Sequence, residues 1–123
     1  MTTTVLVVDD NESFLDASCA LLSREGLDVL GAASTSAASL GRVEELRPDV
    51  VLVDINLAAE SGFDLARQLV EAAGDHGPAV ILMSTQTAAD LADLLAESPA
   101  SGFVAKSELS AEAIRRILNG GKR

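Results

Sequence analysis

Runs of four to six apolar residues alternate along the chain with longer segments whose apolar side chains recur every three or four positions, and the alternation repeats five times. Thr4–Val8 is β-branched and Leu-rich without polar interruption, the pattern of a strand buried on both faces. Glu12–Glu25 carries Leu15, Cys19 and Leu22 on one stripe, which predicts a helix closed by Gly26. Val29–Ala33 predicts a weaker strand, and Thr35 or Ser36 can cap a helix that Pro48 stops after about Leu46. Val50–Val53 is the clearest strand and ends in Asp54. A helix over Gly62–Ala73 is expected to bury Phe63, Ala66, Leu69 and Val70, followed by a turn at Gly74–Pro78 and a fourth strand at Ala79–Met83. Thr87 and Asp90 form a capping-box pattern ahead of Leu91, Leu94 and Leu95. Gly102–Ala105 is the fifth strand, and Ser110 caps the last helix with Leu109 and Ile114 as its hydrophobic staple.

Buried strands joined by helices form a parallel sheet with right-handed crossovers. Five such units fill the 123 residues. The expected fold class is therefore α/β: a doubly wound five-stranded parallel sheet, flavodoxin-like in its strand order 2-1-3-4-5, with five helices. Residues 1–119 read as one domain, and 120–123 as a tail or the start of a linker.

Composition narrows the function. Apolar residues make up 48% of the chain, as in an ordinary globular domain. The single Cys19 rules out a disulfide framework, reads as a buried small hydrophobe and suits a reducing compartment. With neither a long apolar span nor a basic leader, a soluble cytoplasmic protein without membrane attachment is expected. Residues 1–114 hold all 19 acidic side chains and five of the nine basic ones, a net of −14. Such a surface repels phosphate polymers, and the chain lacks Trp and Tyr for base stacking, so direct nucleic-acid binding by this chain is not expected.

In open α/β sheets, ligands bind beyond the carboxyl ends of the strands. There the first strand delivers Asp9 and Asp10, the third Asp54, the fourth Ser84 and Thr85, and the fifth Lys106. Carboxylates so placed repel one another until their pKa values rise or a cation neutralises them, and hard oxygen ligands with open positions suit Mg²⁺. An Asp–Asp pair after a strand can equally cap the next helix and complement its dipole. A hydroxyl at a strand end and a lone lysine are each common without function, so it is the joint placement on four strand ends that argues for a site. Glycine-rich nucleotide-binding patterns are absent, and the single His76 lies in the Gly–Pro turn.

Together these residues resemble the receiver domain of bacterial two-component response regulators, of the type that often precedes helix-turn-helix output domains. VLVVDDNESF resembles the family's first strand with its acidic pair. RPDVVLVDINLAAESGFDL resembles its phosphoacceptor strand and loop, with Gly62 eight residues after Asp54. VILMST supplies Ser84, and GFVAKS supplies Phe103 and Lys106. The spacings of 44 from Asp10 to Asp54, 30 on to Ser84 and 22 on to Lys106 match the family pattern.

The resemblance implies that Asp54 accepts a phosphoryl group from a histidine kinase or phosphotransfer protein. It implies that Asp10, Asp54 and the backbone carbonyl of Asn56 hold Mg²⁺, with Asp9 reaching it directly or through water, that Lys106 pairs with phosphoryl oxygens, and that Ser84 hydrogen-bonds one of them. Such a domain is not a general enzyme; it catalyses only its own phosphorylation and slow dephosphorylation. Ser84 and Phe103 are the expected switch to the face formed by the fourth helix, fifth strand and fifth helix.

Three positions depart from the family pattern: Ala58 and Ser107 stand where it usually has Pro, and Thr85 where it prefers Ala or Gly. The Ser107 peptide is accordingly expected to be trans. A stand-alone receiver or phosphoryl relay is the first reading. The alternatives are the receiver half of a DNA-binding regulator and a partner-binding receiver that works without phosphorylation. Asp90, Asp93 and Glu97 make the fourth helix acidic while Arg115 and Arg116 make the fifth basic, so a phosphorylation-dependent two-fold dimer could set acid against base. Intrachain pairing of solvated charges accounts for the same pattern.

Overall fold

The computed structural model describes residues 2–74 and 77–120. Strands β1 (Thr4–Val8), β3 (Val50–Asp54) and β6 (Ala79–Ser84) form the centre of a five-stranded parallel sheet, with β2 (Asp28–Ala33) and β7 (Gly102–Ala105) at its edges. The order is β2-β1-β3-β6-β7, the doubly wound arrangement expected from the five apolar runs. Central strands covered on both faces must be apolar throughout, and Val5–Val8, Val50–Val53 and Val80–Met83 are all buried.

Alternate side chains of these strands feed two cores. Leu6, Val8, Val51, Val53 and Leu82 pack with the helices α2 (Ser36–Leu46) and α3 (Gly62–Ala73) and with Leu91. Val5, Val7, Leu52, Ile81 and Met83 pack with α1 (Glu12–Arg24) and α5 (Ala111–Leu118). The helix starts follow the capping chemistry: Asn11, Thr35, Ser61 and Ser110 each accept a backbone N–H three residues on. Leu109 and Ile114 are both buried in the second core, as a staple requires.

Several expectations need correction. Helix α1 ends at Arg24, one residue earlier than expected, with Glu25 as its cap; Gly26 follows at φ +100°, the left-handed value of a closing glycine, where an L side chain is strained. On α3 the buried side chains are Leu65, Ala66 and Leu69, while Phe63 and Val70 are only half-buried. Cys19 is likewise half-buried.

The fourth helix differs most. Thr87 Oγ1 accepts the Asp90 N–H at 3.2 Å, but residues 88–91 form a turn and α4 spans only Ala92–Glu97. Leu91 anchors that turn in the core while Leu94 is 51% exposed, leaving too narrow an apolar stripe to dock a longer helix. Asn56–Leu57 and Glu60–Ser61 form an unexpected antiparallel hairpin, strands β4 and β5. Residues 75 and 76 of the expected Gly74–Pro78 turn, His76 among them, and tail residues 121–123 lie outside the described residues.

Gly62 shows how tightly that hairpin folds back on the sheet. A Cβ at this position would strike the Asp54 carbonyl oxygen and lie 2.6 Å from Ile55 Cα, both backbone atoms that cannot yield. Gly41, within α2, has open space around the corresponding position. We expect Gly62→Ala to cost about 2–4 kcal/mol in urea unfolding. Gly41→Ala should instead gain about 1 kcal/mol from helix propensity. Equal effects of the two substitutions would contradict this packing.

Candidate functional site

β1, β3 and β6 all run in the same direction, so the residues following them converge at one end of the sheet. Asp9 is fully buried there, Asp54 is 6% exposed and Asp10 is exposed. Carboxylate oxygens of the three lie within 4.8 Å of one another. Lys106, directly after β7, extends its ammonium into this cluster, 2.6 Å from Asp9 Oδ2 and 3.2 Å from Asp54 Oδ2.

Each carboxylate has its oxygens assigned differently. Asp9 Oδ1 accepts the Asn11 N–H at 2.9 Å, and Asp54 Oδ1 accepts the Asn56 N–H at 3.1 Å. Asp54 Oδ2 takes a hydrogen bond from Lys106. Asp9 Oδ2 is fully buried, and its close partner is the same ammonium, at 2.6 Å. A buried anionic oxygen with spare acceptor capacity, beside two further carboxylates, is a donor set that fits a hard divalent cation.

The same crowding sets the protonation energetics. Burial pushes the Asp54 carboxyl above the ordinary carboxylate range and the Asp9 charge adds to the rise; the Asn56 N–H and Lys106 pull it back only in part. Burial pulls the Lys106 ammonium down, but Asp9 and Asp54 outweigh it and the net shift is upward.

The remaining expected residues are arranged around this centre. Ser84 ends β6, buried, with its Oγ accepting the Gln86 N–H at 2.9 Å. That bond leaves the hydroxyl hydrogen free to donate elsewhere. Asn56 begins β4. Phe103 is half-buried, packed on the α2/α3 core, and lines a surface cavity of about 700 Å³ together with Thr85, Ser107 and Arg116. Ser107 lies in a 3-10 turn, Lys106–Glu108, and there is no cis peptide bond among the described residues. Arg116 pairs with Glu112 at 3.2 Å and Arg115 donates to the Glu25 carbonyl at 3.4 Å, exposed intrachain contacts that contribute little to stability.

Two contacts were invisible in the sequence. The Glu60 carboxylate accepts the Ser36 N–H at 2.8 Å, tying the β4–β5 hairpin to the start of α2, and Phe14 lies against the Lys106 ammonium. Both join residues far apart in the chain whose types alone suggest only a surface charge and a core aromatic.

With this geometry in view, the response regulator receiver domain family matches residues 5–119. The chain belongs to that family. The DNA-binding response regulator MtrA of Mycolicibacterium smegmatis is 34% identical to this receiver over 117 residues, 92% of this chain and 48% of that protein. The DNA-binding transcriptional activator DevR/DosR of Mycobacterium tuberculosis is 33% identical over 118 residues, 95% of this chain and 54% of that one. The receiver thus spans about half the length of these curated relatives. The solved signal receiver domain of the response regulator NarL from Mycobacterium tuberculosis superposes with a TM-score of 0.79 at 26% identity, covering 99% of this chain and 98% of that one.

A carboxyl group whose pKa is raised by folding takes up a proton in the window between its unfolded and folded values. Its penalty therefore stands in full above the folded value and is relieved as pH falls through it. Asp54→Asn should be more stable than wild type at neutral pH by about 1 kcal/mol in thermal or urea unfolding. The gap should close on acidification toward the ordinary Asp range, and on addition of Mg²⁺. A variant less stable than wild type by a pH-independent margin would show that Asp54 is not electrostatically strained.

Proposed function

We propose that this receiver is the phosphoacceptor domain of a two-component response regulator, taking a phosphoryl group from a phosphohistidine of a kinase or phosphotransfer protein onto Asp54. The observation that carries this reading is the setting of Asp54: a buried carboxylate at a strand end, one oxygen on a backbone N–H and the other on Lys106, beside Asp9 and Asp10. In the transfer, an Asp54 carboxylate oxygen attacks phosphorus, the P–N bond breaks, and the imidazole leaves and takes up a proton. Such a reaction needs positioning and charge stabilisation more than acid–base help.

Asp9, Asp10, Asp54 and the Asn56 backbone carbonyl would hold Mg²⁺, which when bound neutralises carboxylate and phosphoryl charge. The Lys106 ammonium, already at the Asp54 oxygen, would turn to a phosphoryl oxygen. The Ser84 hydroxyl, with its hydrogen free, would donate to another. That bond would draw the loop after β6 inward and let Phe103 move toward α4, the switch of the α4–β7–α5 face.

DNA-binding relatives matched over about half their length support reading this receiver as the regulatory part of a longer cytoplasmic regulator, in place of the stand-alone reading. An acid-to-base pairing of α4 and α5 between two phosphorylated copies belongs to the same proposal, with sedimentation as its readout.

Incubation with phosphoramidate and Mg²⁺ should add the mass of one phosphoryl group to the wild type and none to Asp54→Asn. Asp10→Ala should weaken Mg²⁺ binding at least about tenfold. Ser84→Ala should still accept phosphate but lose the phosphorylation-dependent NMR shifts of Phe103 and α4. Phosphorylation of Asp54→Asn at the wild-type rate would overturn the reading, as would an Asp10→Ala metal titration identical to wild type.

A further inference from the structure

The Lys106 ammonium has a neighbour that carboxylate and phosphoryl chemistry does not account for. Its Nζ lies 4.4 Å from the centroid of the Phe14 ring, while also contacting Asp9 Oδ2 and Asp54 Oδ2. We propose that Phe14 is a positioning residue for Lys106: its ring takes a place that water would otherwise occupy at the ammonium, holding Nζ between Asp9 and Asp54 and so setting how fast Asp54 is phosphorylated. The kinetic part rests on the reading of Asp54 as phosphoacceptor; the contact itself does not.

A lysine ammonium is a compact, strongly hydrated charge on a flexible four-carbon stem, and it needs partners on several sides to stay in one place. The carboxylates are partners that change during the proposed reaction, because a cation and a phosphoryl group compete for their oxygens. An aromatic ring does not titrate and binds no phosphate. Its attraction for a cation grows as water is excluded, and the Lys106 side chain is only 14% exposed. Phe14 is therefore the contact that persists while the others exchange.

The ring does not depend on Lys106 for its own position. Asp9 Oδ1 holds the Asn11 N–H at 2.9 Å, Asn11 Oδ1 caps α1 by accepting the Phe14 N–H at 3.1 Å, and Phe14 packs against the α1/α5 core. Asp9 thus fixes both the helical turn that presents the ring and, through its other oxygen, the ammonium that the ring covers. If Phe14 served only to fill apolar space, any side chain of similar size and hydrophobicity would replace it. The proposal requires an electron-rich ring.

The test uses the full chain with ¹⁵N-labelled lysine and three versions of position 14: Phe, Phe14→Leu, and 3,4,5-trifluorophenylalanine introduced at that site alone. Trifluorination nearly preserves shape while removing most of the ring's attraction for a cation. Hydrogen exchange of the Lys106 ammonium is read by NMR in the unphosphorylated protein, and phosphorylation by phosphoramidate with Mg²⁺ is followed by intact mass. Both altered versions should exchange ammonium hydrogens about fivefold faster and phosphorylate about fivefold more slowly, with the trifluoro version melting as the wild type does. Wild-type exchange in the trifluoro version would overturn the proposal, leaving Phe14 a packing residue. Faster exchange with an unchanged phosphorylation rate would overturn its kinetic part. A wild type that accepts no phosphoryl group would overturn the Asp54 reading and that kinetic part together, while ammonium exchange would still decide the contact.

Discussion

Two carboxylates, Asp9 and Asp54, are buried side by side at the end of a parallel sheet and share one ammonium. Taking such charges out of water costs several kcal/mol per ion, and their mutual repulsion adds to it. Lys106 offsets only part of this: with Asp10 also at the cluster, three formal negative charges face one positive charge. The arrangement persists because the strands beneath it are fixed by side chains that have nowhere else to go. Each fully buried aliphatic residue of β1, β3 and β6 contributes roughly 1.5–3 kcal/mol. A strand slipped by one position would send its side chains to the opposite core. Sheet register therefore forces the carboxylates together, and their unbalanced charge is what makes the site receptive to a cation.

The loops around this centre are tied down by groups that double as site residues. Asp9 caps the turn into α1 and pairs with Lys106; Asp54 holds both Asn56 and Lys106. The hairpin after Asp54 is drawn tight by Gly62 and tethered to α2 through Glu60. At its tip, Ala58 has φ 55°, the positive value taken by the first central residue of a primed two-residue turn. A proline, whose ring fixes φ near −65°, could not adopt this turn.

What the sequence makes legible divides along the same physical line. Uninterrupted aliphatic runs have one comfortable location, between two layers of helices, so the strands, their order and the acidic residues that follow them can all be read from pattern and topology. Capping side chains act over three residues, and Asn11, Thr35, Ser61 and Ser110 are within local reach. The β4–β5 hairpin could not be read, because two-residue strands show no alternation and alanine does not announce a positive φ. The delayed start of α4 was hidden for a related reason: Thr87 makes the local bond its sequence promises, but the anchoring of Leu91 in the core decides where the helix begins. Long-range partners such as Glu60 with Ser36 and Phe14 with Lys106 leave no trace in periodicity.

The two loops that flank the site lead to helices that are held to different degrees. Lys106 opens the 3-10 turn that leads into α5, whose first turn is held twice, by Ser110 Oγ on the Ala113 N–H and by the Glu25 carboxylate on the Ala111 N–H at 2.7 Å. Ala111 and Ile114 are buried beneath it. On the other side, Ser84 and Gln86 lead to α4, which has six residues, no side-chain cap and no buried side chain of its own. Thr85, Ala88 and Phe103 line a cavity that Ser107, Ala113 and Arg116 line from the other side, so open space lies between the two loops. The helix on the Lys106 side is thus better supported than the one on the Ser84 side, by hydrogen bonds at its first turn and by buried side chains alike.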